Sequence, residues 1–160
     1  MYNERMKLTK EDREEINSYL KEYLEHPEVR KMAEFVAHGN QSVLKHCYDV
    51  TATAYMINKK FNLHADLKTL LVGGLLHDFY LYDWHDRPLS FDVFSMHGFT
   101  HPKEASDNAV KYFDIDEETK KVIESHMWPL TLRSFPSSRE AMIICMADKY
   151  CALKETFNRW

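Results

Sequence analysis

Histidine and aspartate residues are the side chains of this sequence that are best suited to chemistry. His77 and Asp78 are adjacent at the end of the apolar run 70–76, and four more candidates lie elsewhere: His46, His101, His126 and Asp148. Imidazole nitrogens and carboxylate oxygens are ligands for borderline and hard divalent metal ions, so an adjacent His and Asp can serve one ion or bridge two. The set therefore predicts a metal site.

Two of these residues stand where the helical pattern calls for apolar side chains. His46 shares a predicted helical face with Val43 and Val50, and Asp148 has apolar neighbours on its predicted helix. A buried imidazole needs a hydrogen bond or a metal ion, and a buried carboxylate needs a cation. Because Lys149 points about a quarter-turn away from Asp148, a metal ion is the favoured partner of that carboxylate.

Two glycines, Gly73 and Gly74, lie inside the predicted helix that ends at His77. Each costs about 1 kcal/mol of helix stability relative to alanine, so a compensating interaction is expected. Close approach of another helix and close approach of a metal ion both explain the pair, and the sequence favours neither.

The order of the His and Asp residues resembles that of the HD-domain metal-dependent phosphohydrolase superfamily. The resemblance covers roughly residues 39–155, and His101 followed by Pro102 is similar to the helix start of many members. It implies that four residues hold one divalent transition-metal ion: His46, His77, Asp78 and Asp148. It also implies that Asp78 bridges to a second ion held by His101 and His126, with His97 as the alternative to His101. Fe and Mn are the expected metals, and Ni, Co, Zn or Mg suit the same ligands.

The resemblance also implies an activity, the hydrolysis of a phosphate ester or anhydride of a small nucleotide-like substrate by a metal-activated bridging hydroxide. A phosphomonoesterase and a phosphodiesterase both fit. The candidate catalytic residues are Asp78, His77 and Lys149. The candidates for binding further phosphate groups are Arg87, Arg133 and Arg139, although each of these arginines is equally explained as a solvated surface charge.

Two other functions stay open. Some HD proteins with the same ligand order are di-iron oxygenases, and ligand order alone does not separate them from hydrolases. A metal-bound nucleotide sensor without catalytic activity is the third interpretation. Intact ligands argue against the sensor, because a protein that only binds could lose them.

The composition is that of a soluble globular protein. The 160 residues are 44% apolar and 29% charged, and with four glycines and five prolines they favour helices joined by short loops. A net charge of −4 offers no electrostatic footprint for duplex nucleic acid, which needs a basic face. We expect one domain whose partner is a small phosphorylated molecule, with a homodimer left open.

The cysteines and the N-terminus predict the compartment. Cys47, Cys145 and Cys151 form neither an even set nor a C-x-x-C pair, which is typical of a reducing cytoplasm. Residues 1–15 are polar and unlike a signal peptide, and no run approaches the roughly 20 apolar residues of a membrane span. A cytoplasmic protein without membrane contact is expected.

Helical elements must position the candidate ligands, because helical periodicity runs through almost the whole chain and strand signals are negligible. We expect an all-α fold, a single compact bundle of six to seven helices. It forms one HD-type domain over 1–160, with N-terminal helices over 1–38 and the metal-site core over 39–155.

Capping signals and prolines set the predicted helix boundaries. The predicted helices run from Thr9 to about Leu24, from Pro27 to near Gly39, from Ser42 onward, from Asp66 to His77, from Thr100 or His101 onward, from Asp116 to His126, and from Ser138 to about Thr156. Thr9 with Asp12, and Ser137 with Glu140, resemble capping boxes. Residues 79–99 lack a steady period and predict a long aromatic loop, which at that length is often functional.

Overall fold

The computed structural model describes the backbone of residues 7–37, 40–82 and 91–157, and the side chains of the same residues except 91–98. These ranges contain seven helices: α1 (Lys10–Glu25), α2 (Pro27–Lys31), α3 (Val43–Lys60), α4 (Leu67–Leu76), α5 (Phe91–Phe113), α6 (Glu117–Ser125) and α7 (Arg139–Phe157). They contain no strand, only an isolated bridge between Val36 and Ser42. The predicted all-α fold class is confirmed.

Four helices begin at the capping residues that the sequence indicates. Thr9 forms a capping box with Asp12 at the start of α1. The side chains of Ser42, Asp66 and Asp116 each accept a hydrogen bond from the backbone N–H three residues later. Each cap satisfies an N–H that a helix start leaves without a partner. The cap at Asp66 fixes the start of α4, the helix that ends at His77.

The second helix is shorter than predicted. α2 ends at Lys31, whereas the sequence predicted an end near Gly39. The chain reverses direction after α2, because the Val43 N–H donates to the Phe35 carbonyl and the Ala37 N–H donates to the Gln41 carbonyl. These bonds join segments on either side of the reversal, so the local sequence does not reveal them.

The predicted loop over 79–99 is wrong for residues 91–99, which belong to α5. Pro102 lies inside this helix and not in its first turn. A proline has no N–H, so its interior position removes one helical hydrogen bond without ending α5 here.

The last helix is capped one residue later than predicted. The Ser138 hydroxyl, and not that of Ser137, accepts from the Ala141 N–H at 3.1 Å. The carboxylate of Glu140 instead accepts from the Asp66 N–H at 2.8 Å. The predicted box between Ser137 and Glu140 is therefore wrong, and Glu140 joins the start of α7 to the start of α4.

Helix α4 lies at the centre of the bundle, where it packs against α1, α3, α6 and α7. Leu71 belongs to an apolar cluster with Ile16 of α1, and Leu70 belongs to a second cluster with Val122 of α6 and Ile144 of α7. Because residues 69–76 are all buried, the pair that follows α4 is held inside the protein. None of the described helices is long and apolar enough to cross a bilayer.

The two glycines of α4 permit this packing. A Cβ atom on Gly73 would lie 2.7 Å from Cγ1 of Val122, and one on Gly74 would lie 2.7 Å from Oγ1 of Thr51 and 3.0 Å from Cδ1 of Ile144. Favourable contacts between carbon atoms lie at about 3.5–4.0 Å, so a side chain at either position would clash. Close approach of neighbouring helices therefore accounts for the glycine pair.

A buried carboxylate, Asp12, joins α1 to α3. The Tyr55 hydroxyl donates to it at 3.2 Å, and the Lys59 ammonium donates to the same oxygen. The Lys59 ammonium, together with the backbone N–H of Thr9, holds the pKa of Asp12 at about 2, below its ordinary value of 3.8. The ionised form of Asp12 therefore stabilises the folded chain.

We expect Asp12→Asn to lower the free energy of unfolding by about 1–2 kcal/mol near neutral pH, a value reduced by the exposure of Lys59. The pKa of Asp12 is lower in the folded chain than in the unfolded chain. This contribution to stability is therefore complete above pH 3.8 and is lost as the pH falls toward 2. Urea unfolding of both proteins between about pH 6 and pH 3 measures the difference, which should shrink in acid. A difference that stays constant would contradict the ionic role of Asp12.

Candidate metal centre

Six buried side chains converge where five helices meet. They come from α3, the end of α4, α5, the end of α6, and α7, in the order His46, His77, Asp78, His101, His126 and Asp148. All six are at most 7% exposed. The structure thus brings together all the candidate ligands except His97, the alternative to His101, whose side chain lies outside the described residues.

The two carboxylate oxygens of Asp78 face different histidines. Oδ1 lies 3.2 Å from Nε2 of His101 and 3.4 Å from Nε2 of His126. Oδ2 lies 3.5 Å from Nε2 of His77 and 3.9 Å from Nε2 of His46. Asp78 therefore stands between two pairs of imidazole rings.

Asp148 lies on the same side of Asp78 as His46 and His77. Its Oδ1 is 3.1 Å from Nε2 of His46 and 3.6 Å from Nε2 of His77. Three overlapping groups have ligand atoms within 4.8 Å of one another, and each group is compact enough to hold a metal ion: His46, His77 and Asp78; His77, His126 and Asp148; and Asp78, His101 and His126.

Backbone carbonyls fix the tautomer of two of the rings. Nδ1 of His77 donates to the Gly74 carbonyl at 2.7 Å, and Nδ1 of His126 donates to the Ile123 carbonyl at 2.7 Å. Because a carbonyl oxygen only accepts, the proton is on Nδ1, and the neutral ring has its lone pair on Nε2. The nitrogens that face the carboxylates are therefore the ones able to bind a metal ion.

Two buried atoms of the cluster, Nε2 of His77 and Oδ1 of Asp78, have no hydrogen-bond partner among the described residues. Such atoms are rare in folded proteins, because leaving a buried polar atom unsatisfied costs about 1–3 kcal/mol. A divalent cation bound by these nitrogen and oxygen ligands would satisfy both atoms. The residues present therefore fit a divalent metal ion.

The charges of the cluster shift one another's pKa values. Burial raises the pKa of Asp78 and of Asp148, but the adjacent histidines outweigh it and hold both values well below the ordinary one. Burial lowers the pKa of His46 and of His77, but the adjacent acidic groups hold both values well above the ordinary one. Burial and the neighbouring histidines keep the pKa of His126 low. The cluster thus favours ionised carboxylates balanced by positive charge.

The HD domain family model matches residues 43–153, more than half of the chain, from the first residue of α3 into α7. The chain belongs to the HD domain family. Members of this family are largely metal-dependent phosphohydrolases, and membership together with the His/Asp clusters indicates divalent metal binding. Comparison with curated proteins and with solved structures finds no match. The predicted superfamily is confirmed.

Sequence reasoning missed one residue of the HD-domain centre, Glu155 of α7. Both of its carboxylate oxygens lie 3.0 Å from Nδ1 of His46, and its side chain is 9% exposed. The amide of Gln41 donates to Oε1 of Glu155 at 3.0 Å. Glu155 follows Asp148 by two helical turns, so both lie on the same side of α7. That spacing is the signal that could have found it.

Lys149, a predicted catalytic residue, lies beside the centre with its ammonium bound to the protein. It donates to the His126 carbonyl at 2.9 Å, to Sγ of Cys145 at 3.2 Å and to the Cys145 carbonyl at 3.4 Å. An ammonium group has three donors, and these contacts engage all of them. Lys149 therefore supports the backbone at His126, and its catalytic role stays a prediction.

The described arginines do not join the cluster. Arg139 donates to the His64 carbonyl at 2.8 Å and lies nine residues before Asp148 on α7, about 13.5 Å along the helix axis. Arg133 is exposed in the segment between α6 and α7, and Arg87 lies outside the described residues. Phosphate binding by these arginines stays a prediction, and Arg139 has a structural partner.

Proposed function

We propose that this protein is a metal-dependent phosphohydrolase that cleaves a phosphate ester or anhydride of a small nucleotide-like molecule. In this proposal the centre holds two divalent ions, with Fe and Mn as the expected metals. One ion would be held by His46, His77, Asp78 and Asp148. The other would be held by Asp78, His101 and His126.

The position of Asp78 is the observation that carries the proposal. Its two oxygens face separate pairs of histidines at 3.2–3.9 Å, so each oxygen can bind its own ion. Two divalent ions, offset by the carboxylates of Asp78 and Asp148, leave a net charge of about +2. A site of that charge attracts phosphate oxygens.

The chain supplies orientation and a buried environment. The carbonyls of Gly74 and Ile123 hold the rings of His77 and His126 with Nε2 toward the centre, so these ligands need no rearrangement on binding. Burial weakens solvent screening and strengthens the attraction between cations and phosphate. Divalent ions bound here would lower the pKa of a water molecule and offset phosphate charge, so neither a serine nor a cysteine nucleophile is needed.

Metal content and phosphate release test the proposal together. The chain is loaded anaerobically with Mn²⁺ or Fe²⁺ and offered mononucleotides, cyclic nucleotides and dinucleoside polyphosphates. We expect phosphate release from members of this panel without oxygen. Chelation should remove the activity and lower the melting temperature, because metal binding is linked to folding.

The same assay separates the other interpretations. Oxygen consumption on an organic substrate, with no phosphate release from the panel, would identify an HD-type di-iron oxygenase. Nucleotide binding to the metal-loaded protein without either reaction would identify a sensor. Either result would overturn the hydrolase proposal.

The choice between His101 and His97 has its own test. We expect His101→Ala to lower the metal-to-protein ratio from two toward one, because Nε2 of His101 lies 3.2 Å from Oδ1 of Asp78. His97→Ala should keep both ions and serves as the control, four residues earlier on the same helix. Metal analysis of the purified variants measures the ratio. The opposite pattern would assign the ligand to His97.

A further inference from the structure

An apolar cavity of about 490 Å³ borders the metal centre. Its walls come from the segment after α6 and from α7: Met127, Pro129, Leu130, Asp148, Lys149 and Ala152. Asp148 belongs to the metal cluster, and Met127 directly follows His126, so the cavity and the cluster share a wall. The volume lies within the range of about 300–1,000 Å³ that is typical of small-molecule sites.

The walls of this cavity suit an apolar group. Four lining side chains lack a strong hydrogen-bond donor or acceptor: Met127, Pro129, Leu130 and Ala152. The other two side chains are already engaged, because Lys149 donates to the His126 carbonyl and Asp148 lies 3.1 Å from Nε2 of His46. The described lining residues can therefore bury an apolar group of a ligand. They offer no set of free side-chain donors and acceptors that would recognise its polar groups.

We propose that the cavity binds the apolar part of the substrate while the phosphate group lies at the metal centre. The inference rests on the proposed function and names a substrate class, a phosphate ester or anhydride that carries an alkyl group, an aryl group or the flat face of a nucleobase. A hydrophobic pocket discriminates weakly between groups of similar size. The protein should therefore distinguish substrates by apolar surface more than by the polar edge of a base.

Ethyl phosphate and hexyl phosphate test the cavity, because their leaving alcohols are similarly acidic and they differ by four methylene groups. With the Mn²⁺-loaded protein, partial burial of these groups should raise kcat/KM for hexyl phosphate by about 10- to 100-fold. Ethylphosphonate and hexylphosphonate, which are not hydrolysed, give the same comparison as dissociation constants by calorimetry. Adenosine monophosphate and ribose 5-phosphate differ by a nucleobase and give the corresponding comparison. A preference in this pair identifies a nucleobase as the apolar group, and a preference for hexyl phosphate identifies an alkyl chain.

Variants of the lining residues place the effect in this cavity. Ala152→Phe fills the space and should reduce the preference for the longer chain to about twofold or less. Thr156→Phe adds the same ring to α7 one turn later, outside the cavity, and should keep the preference. Leu130→Ser changes a side chain that is 48% exposed, so folding should be retained while the preference weakens.

The outcomes separate this inference from the proposed function. Phosphate release with no preference in either pair, for the longer alkyl chain or for the nucleobase, would overturn the cavity and leave the hydrolase standing. Phosphonate binding that depends on chain length and is lost in Ala152→Phe, with no phosphate released from the esters or from the nucleotide panel, would support the cavity and overturn the hydrolase. A preference that Ala152→Phe leaves unchanged would place the apolar group elsewhere and overturn the inference.

Discussion

Asp78→Asn is expected to abolish phosphate release, with a loss in kcat of at least about 10²- to 10³-fold, and to lower the bound metal. Asparagine keeps the size of the side chain and one carbonyl oxygen, but it presents an NH₂ group and no negative charge to one of the two pairs of histidines. In the wild-type protein both pairs face a carboxylate oxygen, at 3.2 Å for His101 and 3.5 Å for His77. Whichever way the amide turns, one ion loses its ligand.

The folded chain should survive this change. The new NH₂ group can donate to an Nε2 lone pair, so the metal-free variant leaves no additional buried atom without a partner. Circular dichroism, the metal-to-protein ratio and phosphate release are the measurements. Asp107→Asn is the control, because Asp107 is an exposed carboxylate on α5 that pairs with Lys103. Wild-type turnover in Asp78→Asn would contradict the bridging role of Asp78.

The sequence reveals those parts of the fold that depend on neighbours along the chain. A cap joins a side chain to an N–H three residues later, so the starts of α1, α3, α4 and α6 are readable from Thr9, Ser42, Asp66 and Asp116. The end of α2 is not readable, because it depends on a bond from the Val43 N–H to the Phe35 carbonyl across a chain reversal. The start of α5 was predicted too late, because proline is typical of the first turn of a helix and Pro102 lies in an interior turn.

The His and Asp cluster of the metal centre could be predicted from the sequence for a different reason. A polar side chain such as His46 or Asp148 on an otherwise apolar helical face is visible without knowing its partners. The supporting contacts are not visible, because they join residues far apart in the sequence. Glu155 meets His46 across 109 residues, and the Arg139 side chain meets the His64 carbonyl across 75.

Glu155→Ala is expected to weaken metal binding by about 10- to 100-fold, the usual effect of removing a group that supports a metal-bound histidine. Glu155 accepts from Nδ1 of His46, so the neutral ring has its lone pair on Nε2, the nitrogen 3.1 Å from Asp148. For His77 and His126 a neutral backbone carbonyl has this role. The negative charge of Glu155 makes the His46 ring a stronger ligand. Removing that charge should therefore mainly weaken binding of the ion beside His46.

Glu155→Gln separates charge from orientation. Its amide oxygen still accepts from Nδ1 of His46, so we expect the tautomer to be kept and metal affinity to fall by less than in Glu155→Ala. Metal titration measures the affinity. Nitrogen NMR of the metal-free chain, at a pH high enough for the His46 ring to be neutral, reports which ring nitrogen carries the proton. Glu118→Ala is the control, because Glu118 is an exposed carboxylate that pairs with Lys121.

A purely structural role for Glu155 gives a different pattern. Its carboxylate also accepts from Gln41, so its removal can loosen the end of α7 and lower the melting temperature without any effect on His46. In that case Glu155→Ala would keep the wild-type tautomer of His46, and Glu155→Gln would keep the wild-type metal affinity. The proposed role of Glu155 in metal binding would then be wrong. A tautomer shift in Glu155→Ala that Glu155→Gln restores, with graded losses of metal affinity, is the expected result, because only a group that orients and charges the His46 ring produces both.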